Sequence, residues 1–99
     1  MSKIRRKTKK SPNGYPLVFV EWKDSLVGVS GWMETEGARP YPVMVRSVGW
    51  LVHDGTDCKL LVPHLSEPNH SNAKEQGCGD VTIPASCITK LVRLQLKRQ

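Results

Sequence analysis

VMVRSVGWLVHDGTDCKLLV, residues 43–62, is the stretch whose reading decides the fold. The run 43–52 is rich in β-branched and aromatic residues, which favour extended backbone, and it reads as one strand. His53-Asp54-Gly55-Thr56 follows, and Asp-Gly between apolar runs is among the strongest short signals for a hairpin turn. Cys58 to Val62 is then the returning strand. Gly49 inside the first run predicts a bulge or sharp bend, because a strand interior gains nothing from a residue without a side chain. A predicted antiparallel hairpin at the centre of the chain sets the class as all-β.

Upstream, Leu17-Val-Phe-Val-Glu-Trp22 reads as a strand with Val18, Val20 and Trp22 on one face and Leu17, Phe19 and Glu21 on the other. Residues 25–41 form a long connection punctuated by Gly28, Gly31, Gly37 and Pro40. Downstream, Pro63 to Cys78 reads as loop, since it holds almost no apolar residues. Gly79 to Ile83 is a short strand, Pro84 to Cys87 a single helical turn, and Ile88 to Leu96 a last strand. Ile88, Leu91, Val92 and Gln95 also follow helical spacing, but the alternation of Val92, Leu94 and Leu96 favours the strand. Four to five short strands, one bent at a glycine, describe a small barrel. Ninety-nine residues hold one hydrophobic core, so the expected organisation is a single domain over 13–99 after a disordered basic arm over 1–12.

Charge is laid out unevenly. Residues 1–10 hold Lys3, Arg5, Arg6, Lys7, Lys9 and Lys10 and no acid, and residues 90–99 hold Lys90, Arg93, Lys97 and Arg98, again with no acid. All nine acids and only five cations lie between, so a net +6 chain is two cationic ends on a body of net −4. Such ends fit a phosphate-rich partner and bind it with steep salt dependence. No aromatic residue interleaves the arm, so sequence preference should be weak. Nucleic acid is therefore the expected partner, with Lys3, Arg5, Arg6, Lys7, Lys9, Lys10, Lys90, Arg93, Lys97 and Arg98 as its binding residues.

No run approaches the roughly 20 apolar residues needed to span a bilayer, and no apolar signal core follows the charged start. No membrane partner is expected. Cys58, Cys78 and Cys87 are odd in number and widely spaced, as reduced cytoplasmic thiols would be. With His53, His64 and His70 they could ligate zinc in number, but no C-x2-C or H-x3–5-H spacing lets one turn present two ligands. The expectation is no metal and no cofactor. Cys78, flanked by Gly77 and Gly79, is the most accessible thiol, and Gly-Cys-Gly reads equally as a tight turn. Asp24, Glu34 and Glu36 form no recognisable acid–base pair, and neither G-x-x-x-x-G-K-[ST] nor G-x-G-x-x-G occurs. No catalytic residue is assigned, and the chain is read as a non-enzymatic binding module.

Five of the six aromatic residues are Tyr15, Trp22, Trp32, Tyr41 and Trp50. Trp22 and Trp50 read as core, whereas Trp32 and Tyr41 lie in or beside the long connection. With Arg39 and Arg46 nearby, these rings could stack a base or a nucleotide. Glu34 and Glu36 beside Trp32 suit a basic protein better than a phosphate backbone.

The layout, with a long loop after the first strand and a helical turn before the last, resembles SH3-like and Sm-like barrels. The wider pattern is similar to small uncharacterised phage and prophage accessory proteins. It rests on W-x-D-[SA] at Trp22-Lys23-Asp24-Ser25, the pair Gly31-Trp32, S-V-G-W-L at Ser47 to Leu51, and I-P-x-x-C-I at Ile83 to Ile88. The resemblance covers about residues 17–92 and leaves out the arm. It implies a phage-type protein working in the cytoplasm of a bacterial host. The SH3-like likeness implies a ligand groove at the long loop, where Trp32, Glu34, Arg39, Tyr41 and Arg46 would hold a host protein or a signalling nucleotide. Ile88 to Leu96 could serve as an exposed edge that pairs copies into a homo-oligomer.

Overall fold

A computed structural model describes residues 14–26, 28, 30–68 and 73–95. The described residues are dominated by strands, and the two helical segments are single 3-10 turns, Thr35–Gly37 and Ala85–Cys87. In chain order the strands are β1 (Leu17–Asp24), β2 (Val43–Asp54), β3 (Cys58–Val62), β4 (His64–Ser66), β5 (Gln76–Cys78), β6 (Val81–Pro84) and β7 (Ile88–Arg93). Five of them form one antiparallel sheet in the order β6-β3-β2-β1-β7, and β4 pairs with β5 in a second, two-stranded sheet.

The all-β reading and the strand character of the last element agree with this architecture. Several other expectations do not. The larger sheet is open, with β6 and β7 as its two edges and a 3-10 turn as the link between them. Pro63 to Cys78 is not all loop, because it contains the β4–β5 hairpin. Polar strands with Ser, Gln and Gly give no period-2 apolar signal, which is why composition hid them. Gly49 is not a bulge. It pairs regularly with Val18, and the register of β2 shifts further on, between Leu51 and His53, leaving Val52 as the extra residue.

Gly49 has a different reason to lack a side chain. A Cβ there would stand 2.9 Å from the Val62 carbonyl oxygen and 3.3 Å from Leu61 Cβ. The obstacle is backbone of the neighbouring strand, which cannot swing away as a side-chain end can. Gly49→Ala should therefore destabilise the protein by about 1–3 kcal/mol, as overpacking does. A urea titration would read it, and an unchanged midpoint would contradict the close approach.

Alternation along β1 follows the sequence reading. Val18 and Val20 are fully buried, and they cluster with Leu51, Leu61 and Ile83. Trp22, Val81, Cys87, Ile88 and Leu91 pack around that cluster. Each fully buried aliphatic side chain contributes about 1.5–3 kcal/mol of transfer free energy, so a few residues hold the sheet on one side. Trp22 settles its one polar group by donating its indole N–H to Ser47 Oγ at 3.1 Å. Trp50 departs from expectation: it pairs with Leu17 and stands half-buried on the opposite face from Leu51.

The predicted hairpin is present, closed by the Gly55 amide donating to the Cys58 carbonyl at 3.1 Å. Lys59 Nζ bonds both the Asp54 carboxylate and the Gly55 carbonyl across that turn. At the other end of the chain, β7 pairs with β1 from Trp22–Ile88 to Val18–Arg93, and the Leu94 amide then donates to the Leu17 carbonyl at 2.9 Å. The segments through which the chain enters and leaves the sheet are therefore hydrogen-bonded neighbours.

Candidate functional site

Two surfaces draw on the expected site residues. The first is where the basic ends meet the sheet. Arg93 lies opposite Val18, and Lys90 lies opposite Glu21, three positions further along β1. Both cations are exposed. Lys3, Arg5, Arg6, Lys7, Lys9 and Lys10 lie outside the described residues, as do Lys97 and Arg98. The points from which those segments depart are fixed, however, because Leu17 and Leu94 are bonded to each other. The fold thus brings the approaches to two sequence-distant cationic stretches together at one end of β1.

Register defines the face beside this junction. Phe19 lies opposite Val48 on β2 and Val92 on β7, and the next row on the same face is Arg46, Glu21 and Lys90. Arg46 Nε donates to Glu21 Oε2 at 2.9 Å while the Arg46 side chain stays largely exposed. Leu17 and Trp50 form the row nearest the basic ends. Val48 is 54% exposed and Val92 39%, values that set this face apart from the buried one carrying Val18 and Val20. Over β3 the same face is covered: Val62 is buried, and a Cβ on Gly77 of β5 would lie 3.2 Å from its side chain. Sequence reasoning did not single out Phe19, Val48 and Val92. Both faces of β2 carry apolar residues, so alternation could not say which side the core would take.

The second surface is the connection between β1 and β2. Trp32 is entirely exposed and Tyr41 largely so. Glu34 and Arg39 line an open hollow with Leu26, Met33 and Ala38, and neither Trp32 nor Tyr41 is among its lining residues. Arg46 belongs to the sheet face instead. The five residues expected to act together are therefore distributed over three places, and no ring closes over Arg39 as base stacking would need.

Of the thiols, Cys78 is exposed and Cys58 and Cys87 are half-buried, all three free. Cys78 lies opposite His64 in the β4–β5 pair. Among the described residues no group of three or more His, Cys, Asp or Glu side chains is placed to hold a metal ion. Among the same residues no helix is long and apolar enough to cross a membrane. No protein-family model, curated protein or solved structure matches the chain.

Proposed function

We propose that this protein is a non-enzymatic module that docks on nucleic acid through its two basic ends. The observation that carries the reading is the bond between Leu94 and Leu17, because it brings the approaches to both cationic stretches side by side. A polyanion lying there would meet the arm cations, Arg93 and the C-terminal pair together, and would release counterions to all of them. Along β1 the acid nearest to Leu17 is Glu21, four residues away or roughly 13 Å at the rise of extended chain, and it is paired with Arg46. That exceeds the Debye length of about 10 Å at 0.1 M salt, so this acid is largely screened from the cationic end.

The strand order, with a long connection after β1 and a 3-10 turn before β7, supports reading the sheet as SH3-like or Sm-like. The motifs quoted above support a phage-type accessory role in the cytoplasm of a bacterial host. Fluorescence anisotropy of labelled single-stranded and duplex oligonucleotides against the full chain tests the proposal. Binding that weakens steeply with salt is expected, and no binding to either form at low salt would sink it.

One observation favours a second reading, capture of a host protein by the long connection. A tryptophan wholly in water is a ready anchor, since Trp and Tyr dominate interface hot spots, and Trp32 with Tyr41 supplies both. Trp32→Ala should leave stability within about 0.5 kcal/mol, as surface changes do, because Trp32 buries nothing in the isolated chain. A complex lost in Trp32→Ala and Glu34→Lys but kept without residues 1–10 would establish this surface. A complex indifferent to Trp32 would eliminate it.

A further inference from the structure

We infer that the open face of β2, β1 and β7 is a platform for the unstacked bases of single-stranded nucleic acid, an extension that rests on the nucleic-acid reading above. The row Val48–Phe19–Val92 is flanked on one side by Trp50 and Leu17, next to the junction of the basic ends. On its other side stand Arg46 and Lys90 about Glu21, and Lys23 is the next residue of β1 on the same face. The face thus carries three cations against one acid around an apolar strip.

The chemistry of that strip selects its occupant. Valine and phenylalanine side chains offer neither donor nor acceptor, so they cannot read base edges or bind phosphate. They can only cover another apolar surface. A duplex keeps its base faces inside its own stack and presents phosphates and groove edges. A single strand can present both parts at once: base faces to the apolar row and Phe19, phosphates to Arg46, Lys23 and Lys90. A second copy of the chain would fit the strip but would bring the same excess of cations against its like, which opposes association. A polyanion with exposed apolar faces satisfies both features.

The test compares oligo-dT and oligo-U with a duplex of equal length, using the full chain, Phe19→Leu and Val48→Lys. The full chain is expected to bind the single strands more tightly than the duplex. Phe19→Leu keeps an apolar residue of similar size but removes the ring, and it should weaken single-strand binding at least about fivefold, the lower end of a stacking contact. Duplex binding and the salt slope should not change. Val48→Lys adds a cation, yet it should also weaken single-strand binding, and its site is exposed enough to keep the test alive if Phe19→Leu does not fold. If the full chain binds nucleic acid but both variants bind single strands as tightly as it does, the platform is refuted and the basic ends alone do the binding. If the full chain binds neither form, the nucleic-acid reading and the platform fall together. A dimer in sedimentation that Val48→Lys splits would give the face to a second copy and overturn the inference.

Discussion

Removing residues 1–10 should cost at least about a hundredfold in affinity for nucleic acid at about 50 mM salt, with a much shallower dependence on salt. The segment carries six of the fifteen Lys and Arg residues and no acid. Each phosphate neutralised adds about 0.7 to the logarithmic salt slope on a single strand and about 0.9 on a duplex. If all six engage, the truncated chain loses a slope of about 4 to 5, and the gap between the two proteins closes as salt rises. Anisotropy titrations over a range of salt would measure both quantities. A truncated chain with the parent's slope would show that these cations do not touch phosphate. Folding should survive the truncation, because the buried cluster is built from residues of the sheet.

Leu61→Ala is the counterpart for stability and should come close to unfolding the domain. Leu61 is 1% exposed and sits in β3, between Leu51 on β2 and Val81 on β6. Truncating a buried leucine costs about 2–5 kcal/mol through lost transfer energy and the cavity left behind. Domains have only about 5–15 kcal/mol in total, and a sheet with five fully clustered aliphatic residues has little in reserve. Urea denaturation should show a midpoint shift far beyond that of Trp32→Ala. A loss below about 1 kcal/mol would mean that the cluster around Leu61 is not the core.

Much of the fold was legible because the sheet is built from short-range signals. Asp54-Gly55 and the runs either side give the central hairpin, and the period-2 pattern of Val18, Val20 and Trp22 gives the buried face of β1. Pro84 and the turn after it mark the step into β7. What alternation could not supply is pairing between distant strands. Whether the strip on β1 was covered depended on β7 lying beside it and on β4–β5 stopping over β3, neither of which any local window contains. Gly49 was recognised as special, but the bulge offered as one reason lies elsewhere and the close approach was not foreseen, since a bulge and a close approach both call for glycine.

The candidate site was legible only as composition. Charge at the two ends was plain, but the pairing of the strands that lead to them was not. Arg46, read as part of a strand, was grouped with the loop residues as a ligand contact when its ion pair with Glu21 places it on the open sheet face. Three of the four motifs behind the phage likeness hold structural residues in this chain, whereas Trp32 of the Gly31-Trp32 pair is fully exposed. Trp22 bonds Ser47, Gly49 admits the Val62 carbonyl, and Ile83, Cys87 and Ile88 lie in or against the buried cluster. Residues doing that work report how the chain packs, which is why they suggested an architecture and left its ligand open.

The pairing of β1 with β7 also has a consequence for how the protein comes into being. It closes the longest loop in the sheet, from Val18 to Arg93, and contacts so far apart in sequence are slow to form because the intervening chain must be ordered first. During synthesis β1 emerges well before β7. A nascent chain therefore carries β1 with one side unpaired until β7 arrives. Under the proposed function, full grip on a polyanion would arrive only once β7 has paired with β1, so binding strength would double as a reporter of completed folding.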